Sequence, residues 1–519
     1  RRQRQMCIRD RHYLAALLPV FAAFNYANSE DLYWVEDYTY FGNQSSIDGT
    51  QVFQIARDIL DNSDSPYAPG VKNWASAVEK PETKIPSYTY TDALPGSSTR
   101  IVLDYANLAQ PTYRYAGTPT LNSDLTIDGI LIKNCSDTWM TFNVVNSTLT
   151  VNNNVEISSN YTVTTLGGRS GSKLDIKGSV IQKSGYKGFN FMSVLGSIYG
   201  RADSVKAGKI QFENKGRISI NSSYTEVGSV EFGSYAGRLD LGITDTQGAE
   251  VSYRIGGING GNPDALVTTA ASDSMIGNEK SMFTTIVLTP DASKSFSYNG
   301  IISNSLECTD TYSSANNGKA ISTTTNISME GSGTQILSGE NDFRGYVFMQ
   351  SGTLYLNTAA GAKHGELTMA GGLIGSTGNA TFSSAKWISG GFIFSNADDI
   401  HADPENGDFK TITIDGMFSK NGESKIEVDF AGIDTYDIID NGVYYDLIYA
   451  EALSNFDTSD ANTDFAAANI GDANAIFKWA QLDDRYALQV GFTTIPEPAT
   501  IAALMGALAI GLAIVRRSK

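Results

Sequence analysis

Leu149-Thr-Val-Asn-Asn-Asn-Val-Glu-Ile157 carries the fold in miniature. Two apolar-x-apolar pairs, Leu149/Val151 and Val155/Ile157, flank three asparagines. Each pair puts its apolar side chains on one face of an extended chain and a polar one on the other, the period-two pattern of a strand. The triplet Asn152-Asn153-Asn154 reads as a solvated turn at the corner between them. The pattern recurs on both sides: Leu125-Thr-Ile-Asp-Gly-Ile-Leu-Ile132, Leu174-Asp-Ile176, Ile210-Gln-Phe212, Ile218-Ser-Ile220, Val230-Glu-Phe232 and Leu239-Asp-Leu241. Gly, Asn, Ser and Asp fill the gaps, and no stretch of helical period joins the strands, which excludes a βαβ sheet. The run is too long for one sandwich. A solenoid suits it, because each coil buries its apolar face on the next. The expected fold is all-β: a right-handed parallel β-helix over 116–390, a C-terminal β cap over 391–494 and a single C-terminal transmembrane helix. Residues 30–115, with Trp34, Trp74 and few repeat signals, read as an irregular N-terminal cap.

Composition agrees. The chain has 519 residues, only 18% of them charged, with 50 Gly, 26 Tyr and 23 Phe. That excludes a coiled coil, which needs Glu, Lys and Ala, and a charge-rich disordered chain, which lacks aromatics. The formal charge is −18, and residues 30–494 hold 30 basic and 54 acidic side chains. A nucleic-acid backbone would be repelled by that field. Cys7, Cys135 and Cys308 have no metal-ligand spacing; Cys135 and Cys308 read as buried, unpaired thiols, which could pair only if the fold brings them together.

The last 25 residues have three parts. Pro496-Glu497-Pro498 precedes an uncharged apolar run, 499–515, which ends at Arg516-Arg517-Ser518-Lys519. As a helix at about 1.5 Å per residue the run spans roughly 25 Å, enough for a bilayer core with little tilt. The basic cluster would stay on the cytoplasmic side and leave the body outside. This order resembles the PEP-CTERM sorting signal, with Pro496, Glu497, Pro498, Arg516 and Arg517 as the matching residues. The resemblance implies a bacterial protein exported to the cell envelope, cell surface or extracellular matrix, processed by an exosortase, in an organism that makes extracellular polysaccharide. It implies an address and no activity. Residues 1–29 then read as a signal peptide, with Tyr13 to Phe24 as its apolar stretch and Ala27-Asn28-Ser29 as its cleavage site. Arg1 to Arg11 (RRQRQMCIRDR) reads as translated sequencing adaptor.

The strongest internal match begins Gly331-Ser-Gly-Thr-Gln-Ile-Leu-Ser-Gly-Glu-Asn341, continues through Ser351-Gly-Thr-Leu-Tyr-Leu356 and closes at Leu367-Thr-Met-Ala-Gly-Gly-Leu373. It is similar to the autotransporter-associated β-strand repeat, which implies a right-handed parallel β-helix in a surface protein. Gly339 and Asn341 would make the corner, and Leu354 and Leu356 would point inward. One full repeat is clear, and a C-terminal anchor stands where an autotransporter has its barrel, so autotransport is not implied.

Catalytic motifs are few. Of three histidines, His12 lies in the signal segment, His364 reads as a turn residue and His401 sits in an acidic loop. Gly168-Arg-Ser-Gly171 fails the spacing of a nucleophile elbow, and Gly256-Gly-Ile-Asn-Gly-Gly261 lacks a phosphate-loop lysine and reads as a loop. Asp398 to Asp408 holds enough oxygen ligands for calcium, with Asp399, Asp403 and Asp408 as the ligands, but departs from the EF-hand pattern; the plainer reading is a solvated loop. Asp128, Asp175, Glu231 and Asp240 read as single outward strand residues that need only solvent. The sequence therefore points to a non-catalytic surface or matrix protein, an adhesin-like stalk with exosortase, the membrane and extracellular polysaccharide as partners and no required cofactor. The alternative is a polysaccharide lyase or hydrolase on the same scaffold, which would gather several acids in one groove.

Overall fold

The computed structural model describes residues 30–34, 57–58, 74–78, 87–90, 94–104, 119–133, 140–158, 164–168, 170–183, 193–196, 201–242, 250–269, 282–304, 323–394, 397–398, 408–431, 433, 439, 442–471 and 473–494. The signal segment, Cys135, Cys308 and the PEP-CTERM segment lie outside them. Among the described residues the one helical turn is Ala461–Thr463, and no helix is long and apolar enough to cross a membrane. The protein is nearly all β, and most strands join one large, mostly parallel sheet.

That sheet is wound as a solenoid with three faces. On one face, Leu125, Leu149, Leu174, Val205, Thr225, Tyr253, Ile286, Ile327, Val347, Leu367, Ala385, Phe418 and Leu453 stand in register, each on the next. At about 4.8 Å per strand, this column of thirteen is about 58 Å long. Most of its members are fully buried, and each such apolar side chain contributes about 1.5–3 kcal/mol. A second face runs from Glu30–Trp34 through Thr99–Asp104, Gly129–Lys133 and Val155–Ser158. Among the described residues the third begins at Arg57–Asp58 and passes through Pro119–Leu121, Met140–Val144, Thr164–Leu166 and Ser193–Gly196.

The parallel ladder runs past both limits expected from the repeat signal. It starts at Glu30–Trp34 and continues beyond residue 390 through Ile412–Lys420 to Tyr445–Ser454 and Phe465–Ala468. Ile412-Thr-Ile414 and Ile426-Glu-Val428 keep the apolar-x-apolar signature, while Phe465–Ala468 is Ala-rich and hides it. The last strand runs the other way: Tyr486–Thr494 pairs antiparallel with both Tyr445–Ser454 and Ala473–Gln481.

Corners are made by backbone packed on backbone. Gly208, Gly228 and Gly256 lie on successive coils. A Cβ on Gly228 would stand 2.3 Å from the Gly208 carbonyl oxygen, and one on Gly256 would stand 2.0 Å from that of Gly228. At the Gly339 corner a Cβ would meet the Gly300 oxygen at 2.0 Å. Asn341 is fully buried there; its side chain accepts from Ile302 N and donates to the carbonyls of Leu337, Gly339 and Asn357. Leu354 and Leu356 are buried on the next strand. The asparagine triplet does more than face water. Asn153 donates to Asp128 on the preceding coil, and Asn154 accepts from Ser179 N on the following one.

Candidate functional site

The outward residues of successive strands form columns of their own. Between the buried pairs of the first face stand Asp175, Lys206, Glu226 and Arg254, in register on four adjacent coils and alternating in sign. They line a groove of about 580 Å³ together with Lys177, Asp291, Lys294, Phe296 and the corner glycines 208, 228 and 256. Because the glycines carry no side chain, the floor beside the charged column stays low.

The groove's charges are paired. Lys177 meets Asp175 at 2.6 Å, Lys206 meets Glu226 at 3.0 Å, Lys294 meets Asp291 at 3.0 Å and Arg254 reaches Glu330 at 3.0 Å. Tyr224, exposed beside the column, donates to Glu226 and lies under the Lys206 ammonium. The Lys206 and Tyr224 hydrogen bonds hold the Glu226 carboxyl below its usual range, and the bond to Glu226 raises Lys206. A carboxyl shifted that way is ionised at neutral pH and has no proton to give as a general acid. The arrangement offers alternating hydrogen-bond donors and acceptors along the solenoid axis.

The outward acids are thus partnered, not merely solvated. Glu231 accepts from Asn259. Asp240 departs furthest from expectation. It is completely buried on the third face and ion-paired with Arg217 and Arg238, the latter at 2.6 Å, while Ser219 donates to it at 3.2 Å. Burial opposes its ionisation, and the two guanidiniums outweigh it and hold the carboxyl below the usual range.

His364 is also not a turn residue. It opens the strand His364–Ser376, is buried, and stacks on Phe343 with ring centroids 3.9 Å apart. Nδ1 donates to the Phe343 carbonyl at 2.7 Å, which leaves Nε2 to accept from the Thr358 hydroxyl at 3.0 Å. Burial pulls its pKa down to about 4, and the Phe343 bond only partly offsets this. The unfolded chain takes up this proton near pH 6.5 and the folded one near 4, so between those values the unfolded state holds more protons. Stability should therefore fall as pH drops through that window, by about 3 kcal/mol in all. In urea titrations from pH 7 to 4.5, His364→Phe should flatten this slope while lowering stability at pH 7. An unchanged slope would place the protonation elsewhere.

Of the proposed calcium ligands, Asp399 and Asp403 lie outside the described residues. Asp408 sits in a short antiparallel pairing opposite Asp398. Among the described residues no cluster of three His, Cys, Asp or Glu side chains is placed to hold a metal ion. The Gly256–Gly261 stretch is a corner with a short strand, Ile258–Asn259, within it.

Lys206, Glu226, Arg254 and Phe296 were not singled out by the sequence. For the three charged residues the signal was there, as the middle residues of Val205-Lys-Ala207, Thr225-Glu-Val227 and Tyr253-Arg-Ile255 beside Leu174-Asp-Ile176, but it emerges only when those segments are set in register. No protein-family model matches the chain, and a search of curated proteins returns no significant match.

Proposed function

We propose that this chain is a non-catalytic exported protein of the bacterial surface or extracellular matrix, an adhesin-like stalk. In this reading the solenoid is a right-handed parallel β-helix and the antiparallel strands at 473–494 are its C-terminal cap. Residues 1–29 export the chain. The PEP-CTERM segment, with Pro496-Glu497-Pro498 and Arg516-Arg517, delivers it to an exosortase and anchors it through a helix over 499–515. One observation supports the stalk above all: each charged side chain of the column on the long first face is ion-paired, Asp175 with Lys177, Lys206 with Glu226 and Arg254 with Glu330.

Deleting residues 496–519 tests the anchor. In an exosortase-bearing bacterium the full chain should fractionate with the envelope and the truncated one should appear in the medium, because the apolar span supplies the membrane affinity. Equal envelope retention of both would sink the anchor reading.

The groove favours one second reading, a carbohydrate-active enzyme, since Asp175, Glu226 and Asp291 all line it. Shortening of a polysaccharide by the purified chain, abolished by Asp175→Asn and Glu226→Gln, would replace the stalk with that enzyme.

A further inference from the structure

The second-face ladder breaks where it meets the groove. Val180, Ile210, Val230 and Ile258 stand in register as interior residues. The bridge from Gly260 to Tyr298 places Phe296 next in that column, and Gln335 follows it. Phe296 is only half-buried, however, and lines the groove. Its ring lies over the outer side of Gly257: an added Cβ there would meet three ring carbons at 2.2–2.5 Å. The vacated pairing is taken by a side chain. The Gln335 amide accepts from Ile258 N at 2.9 Å and donates to Ile258 O at 2.9 Å, reproducing a strand partner across the gap. Backbone pairing resumes at Gly260 N to Ser297 O.

An aromatic in an interior register with its ring on the outside breaks the rule that built the rest of the column. Such departures mark functional sites when the surroundings compensate for them, as Gln335 does here. The break sets a flat ring at the end of an alternating row of charged side chains that spans about 14 Å along the axis. We propose that this groove binds a linear, neutral polysaccharide lying along the solenoid, with Phe296 stacking on a sugar ring and Asp175, Lys206, Glu226 and Arg254 exchanging hydrogen bonds with its hydroxyls. A polyhydroxyl chain uses donors and acceptors equally at every coil. A polyanion would meet two carboxylates in the row and the negative field of the whole body. This inference rests on the non-catalytic reading above and names the ligand class for its surface.

Affinity electrophoresis of the detergent-solubilised full chain tests it, with hydroxyethyl cellulose as the neutral probe and alginate as the anionic one. The neutral polymer should retard the wild type. Phe296→Ala should weaken retardation at least tenfold, Gly257→Val should do the same by displacing the ring, and Glu226→Gln should weaken it severalfold. Melting temperature identifies any variant that fails to fold, and the remaining variants then decide. Stronger retardation by alginate, no retardation by the neutral polymer, or wild-type behaviour of folded Phe296→Ala and Gly257→Val overturns the proposal. Cleavage of the neutral polymer, together with Phe296-dependent retardation, would keep the binding site and overturn the non-catalytic reading.

Discussion

Replacing Gly228 with valine should unfold the coils on either side of it. The new Cβ would stand 2.3 Å from the Gly208 oxygen, far inside van der Waals contact, and the obstacle is backbone that cannot rotate away. Nor can the corner shift as a unit. Gly228 N donates to the Ala207 carbonyl and Gly256 N donates to the Val227 carbonyl, so the same residues hold the coil below and the coil above. Relief requires breaking the ladder, at a cost of about 3 kcal/mol or more. In a stacked array that loss stays near the lesion, and a single unfolding free energy describes it poorly. Hydrogen exchange is the better measurement. Amides of Ala202–Phe212, Arg217–Val227 and Glu250–Ile255 should lose protection, while Thr353–Thr358 and Ala380–Ile393 keep it. Gly96→Ala is the control: its Cβ would meet nothing within 4 Å, so its effect should stay within about 0.5 kcal/mol. Wild-type exchange in Gly228→Val would mean that the corners have slack the packing distances do not allow.

Asp240→Ala should cost about 3–5 kcal/mol, the range for breaking a buried ion pair from one side. Arg217 and Arg238 face one another on adjacent strands, only 12% and 21% exposed, and Asp240 is the carboxylate between them. Without it, two guanidiniums repel where water reaches them poorly. Asp240→Asn keeps the shape and removes the charge, so it should recover little. A variant with Asp240, Arg217 and Arg238 all replaced by leucine should lose less than Asp240→Ala, because no buried charge remains. Because the folded carboxyl titrates below its unfolded value, its contribution is present above about pH 4 and lost as pH falls through the folded pKa. That loss comes at lower pH than the His364 effect, so acid titration should show two separate declines. If Asp240→Asn proves as stable as the wild type, hydrogen bonding alone holds the arginines.

The amino-acid sequence by itself determined the strands and their inward faces. The alternation in Leu149-Thr-Val151 and Val155-Glu-Ile157 depends only on neighbours two apart, and both pairs are buried as the period requires. It also determined the Gly339 and Asn341 corner, since close backbone approach and a compact amide are local needs. What lay outside that reach was every relation between coils. Asp175, Lys206, Glu226 and Arg254 are separated by 20 residues or more, and only winding at a particular coil length sets them side by side. Asp240 reads as an outward residue because its strand says so, yet its side of the sheet is buried. His364 was given to a turn by its Gly and Lys neighbours, and the Phe343 ring, in the connection between Thr334–Asn341 and Val347–Met349, stacks on it inside. Phe296 fits the interior pattern perfectly and leaves the interior because the Gln335 amide, two coils from Ile258, takes its place in the ladder. A two-residue period carries which face a side chain occupies. What stands beside it depends on register between distant strands, and register is fixed by packing and hydrogen bonding across coils, which only the folded chain possesses.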